Sequence, residues 1–542
     1  MRPLGRMARA FVCLIFAYWG VYALVAPVTN IDSQMYNIAR LELAMRGGLF
    51  NNGYFTSIYQ VMYPWTFDAV HLPFLYLGWG YALPSFLCLV GTCYVVFTMM
   101  RARFGPDAAW VTVVALLGLT CLVYQGTSTK NDIPLLFAGA TWVYARWRWR
   151  REGGASVHLV WMILAIGFMA GSKTTGVLYG FNLALWMLWE LRGNRRLALQ
   201  IIAGLVGACI LWGSVETYIE SKHRFGHLLG PPPGVRELTN RDGVRGGIAN
   251  LTRYIAGSIY VGPTTFHSGL HSILAETEIR VLSRLGLADA GYGLESRDRY
   301  LIFFQSGFEE LSGFGPIGTM AMATILFACL RWRPQRMWWQ LAAAAFLGLA
   351  LTSFTIGYCV WSNRYLLSWY ALGTTAATCI LWERETPFRR VLRWVFASIA
   401  ITSAVAAPLL SFNRGPGAIV ASIYDRDRFE TCNDPMVGEI RTRLRRLRAE
   451  KPARHIFFVA TTNSVVLPIL EDRKVDAILV TSPLFSNLLK NGQIDARDIV
   501  IEDDPIDSPL LTKIEDVSSP DIFSANGTRT QGIYQVSARS GH

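Results

Sequence analysis

Asp32 lies in NIDSQMYNIARLELAMRGG (residues 30–48), directly after an apolar run, and other ionisable side chains are placed in the same way. QGTSTKNDIP (125–134) carries Lys130 and Asp132 between two apolar runs. FEELSGFGPIG (308–318) puts Glu309 and Glu310 before another, and WSNRYLL (361–367) sets Arg364 and Tyr365 at the start of a further one. In GFMAGSKTTG (167–176), Lys173 interrupts an apolar stretch. An ionisable group inside a membrane costs about 2.5–3.5 kcal/mol on insertion scales and marks a site or a pair. These residues offer carboxylates and cations gathered at one membrane face, with Lys173 as partner for an anionic group. Each also has a plainer reading. Asp32 and Asp132 suit helix N-caps, worth about 1 kcal/mol each, and Lys173 suits a side chain snorkelling from a helix end.

The elements that must position them are membrane helices. The chain has 542 residues, 52% of them hydrophobic, 13% aromatic and only 16% charged, against about 25% charged in soluble chains. A helix needs about 20 apolar residues to cross the hydrocarbon core. Eleven segments qualify as spans: 9–27, 79–100, 107–125, 132–146, 157–172, 175–191, 198–217, 315–331, 337–358, 365–382 and 392–411. The first reads as a retained helix, because no convincing small-residue cleavage site follows it. The net charge of +13 is not one patch. It falls in short clusters in alternate loops, among them RWRWRR (146–151) and RGNRR (192–196), which is the positive-inside pattern and excludes nucleic acid as partner. The N-terminus is then inside and the C-terminus outside. Of nine cysteines, seven lie within apolar runs and read as small hydrophobes; Cys359 and Cys432 lie at or beyond the ends of spans. No disulfide framework and no CxxC metal pair follows.

The expected fold is a mainly α polytopic bundle, residues 1–411, with outer loops 28–78 and 218–314, followed by a small extracytoplasmic α/β domain, 412–542. The run Ser33–Arg46 places Met35, Ile38, Leu41, Leu43 and Ala44 mostly on one side, which suits a helix lying in the membrane interface. Gly47 and Gly48 stop it. In the tail, HIFFVAT (455–461), AILVTS (477–482) and IVIED (499–503) read as buried strands, with helices at 435–450 and 483–491. Passive stability is its expected role, with a lid or acceptor-docking domain as the alternative. Tyr59, Tyr63 and Trp65 could stack on a sugar, although anchoring at the interface is the commoner use of such residues.

NIDSQMYNIARLELAMRGGLF resembles the first outer loop of the GT-C superfamily of polyprenyl-phosphate-sugar-dependent glycosyltransferases, particularly bacterial members of the protein-mannosyltransferase and aminoarabinose-transferase group. In that loop an Asp follows the first span, with a Tyr and an Arg shortly after; here these are Asp32, Tyr36 and Arg40. TSTKNDIPLLF is similar to the group's Asn-Asp start of the fourth helix, and GFMAGSKTTGVLYG to its small-residue helix ending in Lys-Thr. YIESKHRFGHLLGP (218–231), FEELSGFGP and NRYLLSWYAL resemble later elements in matching order. The resemblance covers residues 1–410, thinly between 232 and 300. Many relatives have two adjacent acidic residues where Ile31 and Ser33 flank Asp32, so a metal site built on paired carboxylates does not carry over.

The resemblance implies an enzyme that moves a sugar from a polyprenyl-phosphate donor to a hydroxyl on a glycan, lipid or protein, with inversion. The location it implies is the outer face of the plasma (bacterial inner) membrane. Asp32 is then the base for the acceptor hydroxyl, and Asp132 and Glu309 shape the acceptor side or hold cations. Lys173 and Arg364 stabilise the phosphate leaving group, backed by Lys130 and Arg40, with Tyr36 and Tyr365 in the substrate-binding set. No cofactor is called for, and a divalent cation stays an open alternative. A lipid or small-molecule transporter and a lipid-diphosphate-linked glycan ligase or polymerase are the competing readings. The chain shows no internal repeat of the transporter kind.

Overall fold

In a computed structural model the described residues are 2–29, 32–47, 60, 63–230, 232, 235, 239–257, 268–292, 313–332, 335–358, 362–411, 414–426, 435–450, 455–460, 467–470, 477–481, 485–487, 490–491, 498–502, 511–520 and 528–536. Glu309, Glu310, Tyr59, Cys359 and Cys432 lie outside them. The chain divides into two compact units. Unit 1 comprises Met1–Leu24, Pro64–Phe67 and Ala82–Ile419; unit 2 comprises Val25–Tyr63, Asp68–Tyr81 and Val420–His542.

Unit 1 is helical. Its main helices are α1 (Arg2–Val25), α2 (Leu83–Phe104), α3 (Pro106–Leu117), α4 (Thr120–Gly126), α5 (Asp132–Arg151), α6 (Ser156–Ser172), α7 (Thr174–Glu190) and α8 (Arg195–Leu211). They continue with α9 (Gly243–Gly257), α10 (Ser268–Arg284), α11 (Gly315–Arg331), α12 (Arg336–Thr355), α13 (Leu367–Trp382) and α14 (Pro387–Leu410). A helix stands at each of the eleven positions that the hydropathy pattern marks. Proline opens α2, α3, α11 and α14 in the first turn, where its missing N–H is not needed. Among the described residues four helices are long and apolar enough to cross a membrane alone: Leu4–Val25, Leu83–Phe104, Trp338–Thr355 and Pro387–Leu409. Others are shorter, such as the 17-residue α6 and α11, about 26 Å at 1.5 Å per residue.

The expected span 107–125 is not one rod. It is α3 and α4, bent by 79°. At the break, Gly118 lies against α14, where a Cβ would stand 2.9 Å from the Ala400 carbonyl oxygen. The Cys121 amide, freed from the helical ladder, donates to the Gly313 carbonyl at 3.1 Å. A small residue and an outside acceptor therefore permit a corner that hydropathy cannot register.

Unit 2 holds a five-stranded sheet in the order β2–β1–β3–β5–β4. β1 (Ile456–Ala460) pairs parallel with β2 (Ala477–Thr481) and β3 (Ile499–Glu502), in register Phe458↔Leu479 and Phe458↔Ile501. β5 (Thr528–Val536) runs antiparallel to β3 and to β4 (Leu511–Pro520). The three expected strands and the helix at 435–450 are present; that helix, α15 (Pro435–Glu450), buries Val437, Ile440, Leu444 and Leu447. β4 and β5 were not expected. A register shift between Lys513 and Glu515 breaks the alternation of β4, which would otherwise announce a strand.

One further expectation needs correction. Most of the first outer loop clusters with the tail, not with the spans, because the helix Ile38–Gly47 packs on the short helix Leu467–Leu470. Ser33–Arg46 is helical, as expected. It is a π-helix, Ser33–Asn37, continued by the α-helix Ile38–Gly47, and polar as well as apolar side chains are buried along it. Ser33, Gln34, Asn37 and Arg40 are as buried as Met35, Ile38, Leu41 and Leu43.

Candidate active site

In unit 1 the turn between α4 and α5 is polar yet buried: Thr127, Ser128, Thr129, Lys130, Asn131 and Asp132 all lie inside. Side chains satisfy its backbone. Thr127 donates to the Val123 carbonyl at 2.9 Å, Ser128 to the Gln125 carbonyl at 3.0 Å, and Ser85 to the Lys130 carbonyl at 3.2 Å. Asp132 does not cap α5. It is the first helical residue, and Asn131, in the cap position, makes no side-chain capping bond. Asn131 reaches across instead, donating to the Ser172 carbonyl at 2.8 Å.

Lys173 occupies the break between α6 and α7 in extended conformation, φ −160° and ψ 147°. Its ammonium donates to Asp132 Oδ1 at 2.5 Å. Asn131 and Asp132 therefore latch the α4–α5 turn to the α6–α7 break at two points. Glycine makes the break possible: a Cβ at Gly176 would collide with the Met169 carbonyl, and one at Gly171 with the Trp212 carbonyl. The snorkelling reading fails for Lys173, whose side chain is 13% exposed and ion-paired. The second oxygen of Asp132, Oδ2, is buried and has no hydrogen bond among the described residues.

Arg364 and Tyr365 sit on a 3-10 turn, Ser362–Leu366, that leads into α13. The Tyr365 ring lies 5.2 Å from Lys173 Nζ and 5.4 Å from the Arg364 guanidinium carbon. The Tyr179 hydroxyl of α7 donates to the Tyr365 carbonyl. Lys130, Arg364 and Asp132 all act electrostatically on Lys173. Five of the residues singled out from sequence, Lys130, Asp132, Lys173, Arg364 and Tyr365, thus share one neighbourhood. Beneath it, Tyr179 and Trp369 meet edge to face at 4.9 Å. They help line an apolar cavity of about 70 Å³, with Leu136, Met169, Leu183 and Met99 on its other walls. The opposite ends of α5 and α7 are closed by Arg146 and Arg150 on Glu190.

In unit 2 Asp32 stands at the head of the π-helix with helical dihedrals, φ −59° and ψ −39°, and its side chain makes no capping bond. The capping explanation therefore fails here as well. A five-residue π-helix is rare, and such turns recur at functional sites. Gln60 supports this one, donating to the Met35 carbonyl at 2.8 Å; Gln34 donates to the Val28 carbonyl at 2.6 Å. Tyr36 packs on Tyr63 with ring centroids 5.4 Å apart. Arg40 is 1% exposed. It pairs with the buried Asp68 and donates to the carbonyls of Gln60 at 3.2 Å and Tyr63 at 2.7 Å, which makes it a brace of this loop. Asp68 escaped the sequence reading, since a lone acid in YPWTFD (63–68) carries no spacing signal. Among the described residues no three His, Cys, Asp or Glu side chains are grouped to hold a metal.

Residues 60–217 match the family model of dolichyl-phosphate-mannose-protein mannosyltransferase, a segment that contains Lys130, Asp132 and Lys173. The fold is similar to that of ArnT from Cupriavidus metallidurans in the crystal structure bound to undecaprenyl phosphate, at 14% identity, 98% of each chain covered and a TM-score of 0.55. The apo crystal structure of the same protein matches at 15% identity, 97% of each chain covered and a TM-score of 0.53. No curated protein sequence matches the chain. The matched segment is thus similar to the mannosyltransferase family over residues 60–217, and the fold is shared with ArnT along nearly the whole chain.

Proposed function

We propose that the protein transfers a sugar from a polyprenyl-phosphate donor to a hydroxyl acceptor at the extracytoplasmic face of the membrane, with inversion at the anomeric carbon. The observation that carries this reading is the charge cluster of unit 1: Lys130, Lys173 and Arg364 gathered about Asp132, directly above an apolar cavity. A polyprenyl phosphate has a matching division, an anionic head on an apolar chain. As the anomeric bond breaks, negative charge develops on the departing phosphate, and preoriented cations stabilise it where water is scarce. Asp132 keeps the Lys173 ammonium in place by the 2.5 Å hydrogen bond. The cavity walls of Tyr179 and Trp369 receive the first part of the lipid chain. ArnT, whose fold this chain shares, binds undecaprenyl phosphate.

Asp32 is the base in this proposal. It removes the proton of the acceptor hydroxyl as the new glycosidic bond forms. The support is indirect: its side chain is not used as a helix cap, and the π-helix that follows it is a rare turn of the kind that recurs at functional sites. The positive-inside pattern supports the outer-face assignment. A bacterial inner membrane is the compartment in which such a donor is supplied.

The test is a transfer assay in membranes containing the protein, supplied in turn with polyprenyl-phosphate and polyprenyl-diphosphate sugars. Label incorporated into a hydroxyl-bearing acceptor from the monophosphate donor is the expected result. Movement of the lipid across the bilayer without sugar incorporation would establish the transporter reading, and exclusive use of the diphosphate donor the ligase reading.

A further inference from the structure

Arg253 is an arginine of the long outer loop for which the reaction above has no use, yet it is fully buried. It sits on α9. One of its terminal nitrogens donates to Asn250 Oδ1 at 3.0 Å and to the Ala290 carbonyl at 2.6 Å; the other donates to the Ala288 carbonyl at 2.9 Å. Its guanidinium lies 3.9 Å over the Tyr292 ring and 5.4 Å from the Tyr358 ring. Isolated burial of a guanidinium is costly, so five simultaneous contacts indicate a position the fold has organised around.

What those contacts hold is the end of α12. Asn250, oriented by Arg253, donates its amide to the Ser353 and Ile356 carbonyls at 3.2 and 3.1 Å. These belong to the last turn of α12 and the residue after it, where carbonyls have no helical partner. Asn240 adds the Phe354 carbonyl, and the Tyr358 amide donates to Gly291 at 2.7 Å. On the other side, the Tyr370 hydroxyl of α13 meets the Tyr254 carbonyl, next to Arg253, at 3.5 Å. Tyr254 and Tyr358 are also in ring contact, with centroids 5.3 Å apart. α9 thus touches the chain both before and after the segment that joins α12 to α13. That segment carries Arg364 and Tyr365.

We infer that Arg253 is a positioning residue: through Asn250 and Tyr254 it brackets the end of α12 to the start of α13 and so sets the turn that presents Arg364 and Tyr365 to Lys173. The inference deepens the proposed function and rests on it only for its effect on the lipid phosphate. A planar fork is required to reach two carbonyls and an amide oxygen while lying on a tyrosine face, which a lysine cannot reproduce.

Two measurements decide it on the full-length protein in nanodiscs. Hydrogen exchange of peptides covering residues 362–370 is compared in the wild type, Arg253→Lys and Arg253→Met. Protection there is expected to fall in both variants, more in the methionine one, while peptides of α5 and α7 keep theirs. Unchanged protection at 362–370 overturns the inference. Binding of undecaprenyl phosphate is then measured in a cycle with Arg364→Ala. Arg253→Met is expected to weaken binding about tenfold in the wild-type background and hardly at all once Arg364 is gone. An equal loss in both backgrounds means general damage, and also overturns the inference. A wild type that does not bind the lipid, with the exchange result as expected, sinks the proposed donor and leaves the bracket supported.

Discussion

The Lys173 ammonium and Asp132 Oδ1 are 2.5 Å apart, one from the break between α6 and α7, the other from the first residue of α5. Both side chains are largely removed from solvent. Desolvation of such a pair offsets much of its attraction, so it says little for stability as a whole, but loss of one partner leaves an uncompensated charge. Removing Asp132 as Asp132→Asn should therefore cost about 3–5 kcal/mol, and Lys173→Met about as much. The double variant should recover part of that loss in thermal unfolding, yet stay inactive. Additive destabilisation in the double variant would show that the two groups do not depend on each other.

Asp32→Asn separates catalysis from architecture. The native side chain makes no capping bond, and asparagine keeps its size and one side-chain oxygen, so the variant should fold. Transfer should fall by about 10²–10⁴, the usual contribution of a positioned general base. A folded variant with undiminished turnover would remove Asp32 from the mechanism.

Arg40 should behave oppositely. Its buried pairing with Asp68 and its bonds to the Gln60 and Tyr63 carbonyls brace the loop around the π-helix. Arg40→Met is expected to destabilise unit 2 by about 3–5 kcal/mol, seen as loss of protease resistance in residues 25–63. Arg40→Lys should rescue little, because an ammonium cannot span the carboxylate and two carbonyls. If Arg40→Met kept full protease resistance and raised only the KM for donor, a substrate-binding role would replace the structural one.

Acid sensitivity should arise at the far end of the bundle. Glu385, between α13 and α14, is held below the usual glutamate range by the hydrogen bond from Arg393, assisted by Arg390 and opposed by partial burial. A carboxylate with a lowered folded pKa contributes stability that is fully present above its ordinary value of 4.5 and is lost as pH falls through the lower folded value. Its exposure of 51% keeps the effect small. Melting temperature measured between pH 6 and pH 3, against Glu385→Gln, should show the two proteins converging at the acid end. Parallel curves throughout would dissociate Glu385 from the acid response.

The order of apolar runs and the few charges that interrupt them fixed a great deal by themselves. A 20-residue run has to become a helix when no water is available to its backbone, so the helix positions of unit 1 are legible in composition. Lys173 was legible for the same reason, since a charge in such a run is expensive wherever it is placed. Strands β1–β3 were visible because each is a short, continuous apolar run. Other features depend on contacts between distant residues and have no local signal. The corner at Gly118 depends on α14, and the brace of Arg40 on an acid 28 residues later. The strand β4 is irregular at Lys513, and Asp132 became a partner of Lys173 only when two turns 41 residues apart were packed together. Sequence specified which segments must leave water; only tertiary packing chose which polar side chains would meet, because that choice is made by helix ends converging in three dimensions.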